Sequence, residues 1–234
     1  MVNFLLAKFG EKEHLKQMQE GKIFFNSIQK YRNDGTDFRG DYMEGKIPLN
    51  PNGIEIYSSS GESFFENFPR PEMVIESVLN DENLMMLCGS IITKSVLIET
   101  APNIWQFTDD FKSEMIKFGE YVIIFHSIEL LGKIKEYIDI NGQHIGYDSR
   151  PIKYRELDDY YDIDNYKVSG DVLDRYFVKS LSYKKQNEWR VIIDGEQEHL
   201  SPNYMGGYLL ESTPFKCSVI KNTEEFLNGY LKFN

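Results

Sequence analysis

Apolar and polar positions alternate along the chain in patterns that place its elements. The first run, NFLLAKF, is short and apolar and predicts a strand. EKEHLKQMQEG follows, with Leu15 and Met18 at helical spacing and Gly21 as a stop. KIFFNS reads as the next strand. The stretch IQKYRNDGTDFRGDYMEG is polar, rich in Gly and Asp, and too long for a tight turn, which predicts a functional or unstructured loop.

The middle of the chain is less regular. GIEIYSSS reads as an edge strand, and the Pro69-Arg70-Pro71 step interrupts any helix through FFENF. EMVIESVLN predicts a helix and LMMLCGSIIT a buried strand. WQFTDDFKSEMIKFG has amphipathic spacing through Phe107, Phe111, Met115 and Phe118. EYVIIFHS is the clearest strand, and the helical pattern SIELLGKIKEYI follows it directly. IGYDSRPIKYRE reads as paired extended chain and VLDRYFVKS as a short helix, and the end holds KCSVI and the helix TEEFLNGYL. Strands and helices mix without a steady βαβ alternation. The expected class is therefore α+β, with a mixed, mainly antiparallel sheet and peripheral helices. No repeat or low-complexity linker divides residues 1–234, so one domain is expected.

Composition narrows the function classes. A net charge of -11 argues against generic coating of a phosphate backbone, which needs clustered Lys and Arg. No apolar run approaches the roughly 20 residues that span a bilayer, and the N-terminus lacks a signal-peptide pattern. With two cysteines, Cys88 and Cys217, a disulfide framework is not expected, and a cytoplasmic location fits. The scattered His and Cys residues show no metal-ligand spacing, so no metal site is expected.

The candidate chemistry centres on YKKQNEWRVII. Gln186, Glu188 and Arg190 stand at alternate positions where a strand begins, so all three line one side of the strand mouth. A carboxylate at a strand mouth is rigidly held and open to a loop-borne substrate. The same pattern also suits a solvated edge, with Glu188 and Arg190 as a structural ion pair. The loop around Tyr31, Arg32, Arg39, Asp41 and Glu44 suits either an ion-pair network or an anion-binding loop. Lys8 interrupts an apolar strand, which suggests a cation presented to a phosphate or carboxylate, or a side chain snorkelling to water. The acidic stretch from Glu156 to Asp164 lacks the glycine and terminal Glu of a calcium loop.

Two resemblances rest on these residues. FVKSLSYKKQNEWRVII resembles the C-terminal signature of a large bacterial family of uncharacterised proteins: Lys-Ser, an aromatic, then Glu-x-Glu-x-Arg entering a strand. Lys179, Ser180, Tyr183, Glu188 and Arg190 match, and Gln186 replaces the first Glu. LLAKF, GKIFFNSIQKYR and FRGDYMEG resemble that family's N-terminal part. Gln186-Asn187-Glu188 is also similar to the catalytic Gln-x-Glu or Glu-x-Glu of ADP-ribosyltransferases, which begin strand, helix, strand. Lys8 stands where those enzymes carry His or Arg, and Ser90 and Thr93 match their central Ser-Thr-Ser only loosely.

The second resemblance implies an ADP-ribosyltransferase-like fold and an enzyme that uses NAD as substrate and passes ADP-ribose to a macromolecule, protein or nucleic acid. Glu188 would stabilise the oxocarbenium-like transition state, and Gln186 would contact the acceptor. Lys8 and Arg39 would meet the pyrophosphate, with Arg190 beside them, and Tyr31 or Tyr183 would stack on nicotinamide. A bacterial toxin or phage-conflict role, with an inhibitor or antitoxin protein as partner, follows from the same resemblance. The alternative is a non-enzymatic acidic binding module that inhibits a protein partner or mimics nucleic acid.

Overall fold

The computed structural model describes residues 4–36, 40–41, 43–49, 57–63, 73–75, 84–141, 145–156, 173–195 and 207–232. The chain opens with β1 (Leu5–Gly10), α1 (Lys12–Gln19) and β2 (Lys22–Ser27). Gly21 adopts a φ of 98°, the left-handed geometry that ends α1 and turns the chain into β2. α2 (Ile28–Asn33) occupies the start of the expected loop, because the Ser27 hydroxyl accepts from the Lys30 amide and caps a helix there. β3 (Ile47–Leu49) and β4 (Met73–Ile75) form a small antiparallel ladder. The helix expected over EMVIESVLN is thus corrected at Met73–Ile75. Pairing with β3 satisfies that backbone.

β5 (Leu84–Ile92) is the long apolar strand expected from LMMLCGSIIT. β6 (Leu97–Ala101) and β7 (Ile104–Phe107) precede α3 (Asp109–Met115), which Thr108 caps. Phe107 therefore ends a strand instead of starting the helix, yet Phe107, Phe111 and Met115 are all buried together. β8 (Tyr121–His126) runs directly into α4 (Ser127–Asn141). β9 (Ile145–Pro151) and β10 (Lys153–Arg155) follow. A 3-10 turn at Asp174–Phe177 leads to β11 (Val178–Ser180), where a short helix was expected. A second 3-10 turn, Leu181–Gln186, feeds β12 (Glu188–Gly195). β13 (Gly207–Glu211), β14 (Ser218–Asn222), α5 (Thr223–Asn228) and β15 (Leu231–Lys232) close the chain.

The architecture is α+β and mainly antiparallel. Among the described residues, eight strands form the principal sheet, and β10 with β11 makes a parallel pair. β5 is the axis of the sheet. One of its edges is covered by β12 from Ser90 to Leu84, and β12 pairs in turn with β9. The other edge is shared: β2 pairs at Met85 and Met86, and β1 pairs at Ser90, Ile91 and Ile92. From there the sheet forks, through β2 to β13 and through β1 to β8 and β14. The strand, helix, strand expected over residues 4–26 is present, and both strands join the sheet that holds Val191–Ile193.

The two faces of the sheet carry separate cores. Leu6, Met85, Leu87, Trp189 and Val191 alternate onto the face that packs under α1 and α4. Met86 and Ile192 alternate onto the other face with Ile28, Tyr176 and Phe177. No helix among the described residues is long and apolar enough to cross a membrane.

Candidate functional site

The quoted stretch around Glu188 changes conformation within a few residues. Ser180 caps the Leu181–Gln186 turn by accepting from the Ser182 amide. Asn187 then takes a left-handed φ of 44°, which Asn tolerates better than most residues. Its side chain donates to the Ile91 carbonyl at 2.6 Å, and that bond fixes the kink against β5. Gln186 is consequently not on the strand, so it does not reach the site by strand alternation. It reaches it from the turn instead.

Glu188 begins β12 directly opposite Ser90. Its two carboxylate oxygens are claimed by two cations. Arg190 Nε donates to Oε1 at 2.6 Å, and Lys179 Nζ donates to Oε2 at 3.0 Å. Lys179 also donates to Gln186 Oε1 at 3.0 Å, and Gln186 Nε2 donates to Glu114 at 3.0 Å. Arg190 uses its two terminal nitrogens on both oxygens of Glu44, with Nη2 at 2.8 Å from Oε2, and Nη1 also donates to the Tyr176 carbonyl at 2.6 Å. The result is a quartet of two carboxylates and two cations. Arg190 is 1% exposed and Glu188 6%, so the quartet lies inside the protein. Ions in such a place persist only when each is paired and hydrogen-bonded.

The electrostatics follow from that geometry. Burial opposes the charge on Glu188, but Arg190 and Lys179 outweigh it and hold the carboxyl far below the usual carboxylate range. Burial likewise opposes the charge on Lys179, and Glu188 overcomes it and raises the ammonium's pKa. For Glu44 burial is the larger influence and pushes its carboxyl up against the pull of Arg190. Cys88 stands opposite Arg190 on β5. Burial, reinforced by Glu188, pushes its thiol up to about 12, so it is no nucleophile at neutral pH.

Three aromatic residues enclose the quartet. The Lys179 ammonium lies 4.3 Å from the Tyr183 ring centroid, and the Tyr183 hydroxyl donates to the Gly40 carbonyl at 2.9 Å. The Glu188 amide donates to the Tyr154 hydroxyl at 2.7 Å. The Tyr176 ring packs against the turn that presents Glu44. That turn holds Gly45 at a φ of 66°, where an added Cβ would fall 2.2 Å from Tyr176 Cε1. Gly45→Ala is therefore expected to cost about 2–4 kcal/mol, from left-handed strain plus overpacking. A denaturant titration checks this, and an unchanged midpoint would contradict the packing.

The residues expected to form a site from the sequence separate into groups. Glu188, Arg190, Gln186 and Tyr183 meet in the quartet and its cover. Tyr31 packs beside the same core, and its hydroxyl lies 3.4 Å from the Met86 carbonyl. Lys8 follows Ala7, and Ala7 and Glu188 both stand opposite Ser90, so Lys8 leaves the sheet on the other face. Its ammonium donates to the Cys88 carbonyl at 2.9 Å, at the fork where β5 passes from β2 to β1. Arg39 lies outside the described residues. The cation beside Glu188 is Lys179, noticed in the sequence only as part of the Lys-Ser signature. Glu44 belonged to the loop reading, and its signal was the adjoining Gly45. Tyr154 and Tyr176 gave no sequence signal.

Comparison of the chain with protein-family models, with curated proteins and with solved structures finds no match in any of the three.

Proposed function

We propose that the chain is an ADP-ribosyltransferase-like enzyme that breaks the glycosidic bond of NAD and passes ADP-ribose to a macromolecular acceptor. One observation carries this reading. Glu188 is held ionised at the first residue of a central strand, opposite Ser90 and beside the fork of the sheet. In the reaction the bond between ribose C1′ and the nicotinamide ring nitrogen breaks. Nicotinamide leaves with the electron pair, and C1′ develops positive charge. A fixed carboxylate lowers the energy of that cation. The acceptor's nucleophile then bonds to C1′ and releases a proton.

Each Glu188 oxygen accepts one bond in the quartet and retains a second acceptor direction. Substrate would reach it by displacing the Leu181–Gln186 turn, which carries Tyr183 and Gln186 over the site. Gln186, tied to Lys179 and Glu114, would then exchange these partners for the acceptor. Toxin or phage-conflict biology suits this activity.

Incubation with NAD tests the reading. Nicotinamide release above the rate in buffer is expected. Gln186→Ala is expected to lower transfer to an acceptor more than it lowers release. No release at stoichiometric enzyme concentration would end the proposal. The burial of the quartet favours a second reading, in which the four ions hold the fold and the chain is an acidic binding module. A stoichiometric complex with a protein partner, without nicotinamide release, would select it.

A further inference from the structure

Arg175 is 3% exposed, and its Nε, Nη1 and Nη2 find no hydrogen-bond partner among the described residues. A guanidinium offers five N–H donors and stays charged at every relevant pH. Buried charges are ordinarily paired, so a buried one without a partner marks a place where a partner binds. Among the described residues, the neighbouring acids are committed elsewhere. Asp174, next in sequence, is turned to Arg150 and lies 3.8 Å from Lys153. Glu44 and Glu188 are held by Arg190 and Lys179. The Arg175 guanidinium instead lies 5.3 Å from the centre of the Tyr176 ring. On the Gly45 side of that ring stands Arg32, whose Nε donates to the Glu44 carbonyl at 2.6 Å. A protein of net charge -11 thus gathers Arg32, Arg175 and Arg190 around one tyrosine.

We propose that Arg175 anchors an oxyanion site for the pyrophosphate of a small-molecule ligand. The planar fork of a guanidinium matches two oxygens of a phosphoryl group, and low surrounding polarity strengthens the pair. Access is local. Arg175 sits in a four-residue 3-10 turn whose first backbone bond runs from Tyr176 N to the Leu173 carbonyl at 2.9 Å. The same turn leads through Val178 to Lys179, so an anion seated on Arg175 would bear on the cation that covers Glu188. Assigning the pyrophosphate to a dinucleotide rests on the NAD reading; the anion site does not.

Calorimetry and melting curves with inorganic pyrophosphate, ADP-ribose and citrate test the site without any turnover. Pyrophosphate and ADP-ribose are expected to bind and to raise the melting temperature, with affinity falling as salt rises. Tighter binding of ADP-ribose would assign a nucleotide source, and equal binding a free pyrophosphate. Arg175→Met is expected to weaken both about tenfold or more while leaving the unliganded protein as stable as before or more so, because it removes an unpaired buried charge. Arg175→Lys keeps the charge without the fork and is expected to fold and to bind more weakly than wild type. Binding that survives both substitutions, failure of both phosphate ligands to bind wild type, or citrate binding as tightly as pyrophosphate would overturn the proposal. Pyrophosphate binding without nicotinamide release would retain this site and remove the enzyme reading. Nicotinamide release with unchanged binding in Arg175→Met would do the reverse.

Discussion

Arg190→Ala is expected to destabilise the protein by about 3–5 kcal/mol, the usual cost of removing one partner from a buried ion pair. That is a large share of the roughly 5–15 kcal/mol that holds a domain together. The reason lies in what the arginine leaves behind. Glu44 loses both of its bonds to the guanidinium, and Glu188 keeps only Lys179. The Tyr176 carbonyl also loses its donor. Two carboxylates would then share a closed space with one cation. Adding Glu44→Gln to Arg190→Ala removes one of the stranded charges, and the double variant is expected to be more stable than Arg190→Ala alone. Urea titrations of the three proteins measure this. A midpoint for Arg190→Ala within error of wild type would show that the quartet contributes nothing to the fold.

Glu188→Gln is expected to slow nicotinamide release on the order of a hundredfold or more, about 3 kcal/mol of transition-state stabilisation. The substitution keeps shape and removes charge, but it also leaves Lys179 buried with an amide oxygen in place of its carboxylate. Some stability should therefore be lost with the activity. The two effects separate in a double variant. Lys179→Met with Glu188→Gln returns the cluster to one cation and one anion, Arg190 and Glu44. Its melting temperature is expected to recover toward wild type while nicotinamide release stays low. Activity that recovers together with the melting temperature would make Glu188 a structural residue. Acid supplies a parallel check. The Glu188 carboxyl is depressed in the folded protein, so its contribution to stability is complete above the unfolded value of about 4.3. That contribution is lost as the pH falls from there toward the folded pKa. Glu188→Gln should flatten this acid limb of the stability curve.

The N-terminal strand, helix and strand were legible because local pattern and tertiary placement agree there: Leu15 and Met18 face the sheet, and Gly21 supplies the one turn that only glycine makes easily. Elsewhere local signals competed. EMVIESVLN has helical composition, but a partner strand distant in sequence claims Met73–Ile75. Ser27 reads equally well as the end of a strand and as a helix cap, and it serves as both. At the site, Glu188 and Arg190 were visible because β12 alternates them onto one face. Gln186 was given the right neighbours for the wrong reason, since the left-handed Asn187 breaks the alternation between it and Glu188. Glu44 and Lys179 illustrate a harder limit. Their bonds to Arg190 and Glu188 depend on how a turn and a short strand pack, and no spacing along the chain encodes that. Arg175 was invisible for the same reason, because its lack of a partner among the described residues shows only once those residues have positions.

The order of strands also bears on how the protein is made. β5 is flanked by strands from both ends of the chain: β1 and β2 emerge from the ribosome before it, and β12 long after. Until Glu188–Gly195 has been translated, Leu84–Ser90 presents an unpaired edge rich in Leu and Met. An open apolar edge is a template for pairing with other chains. Non-local pairings of this kind close slowly, and partly synthesised chains are exposed while they wait. Glu188 and Arg190 arrive on that closing strand. The nascent carboxylate of Glu44 therefore stays without its arginine until β12 has been made, and β12, with β13 and β14 of the same sheet still to come, completes the ionic cluster.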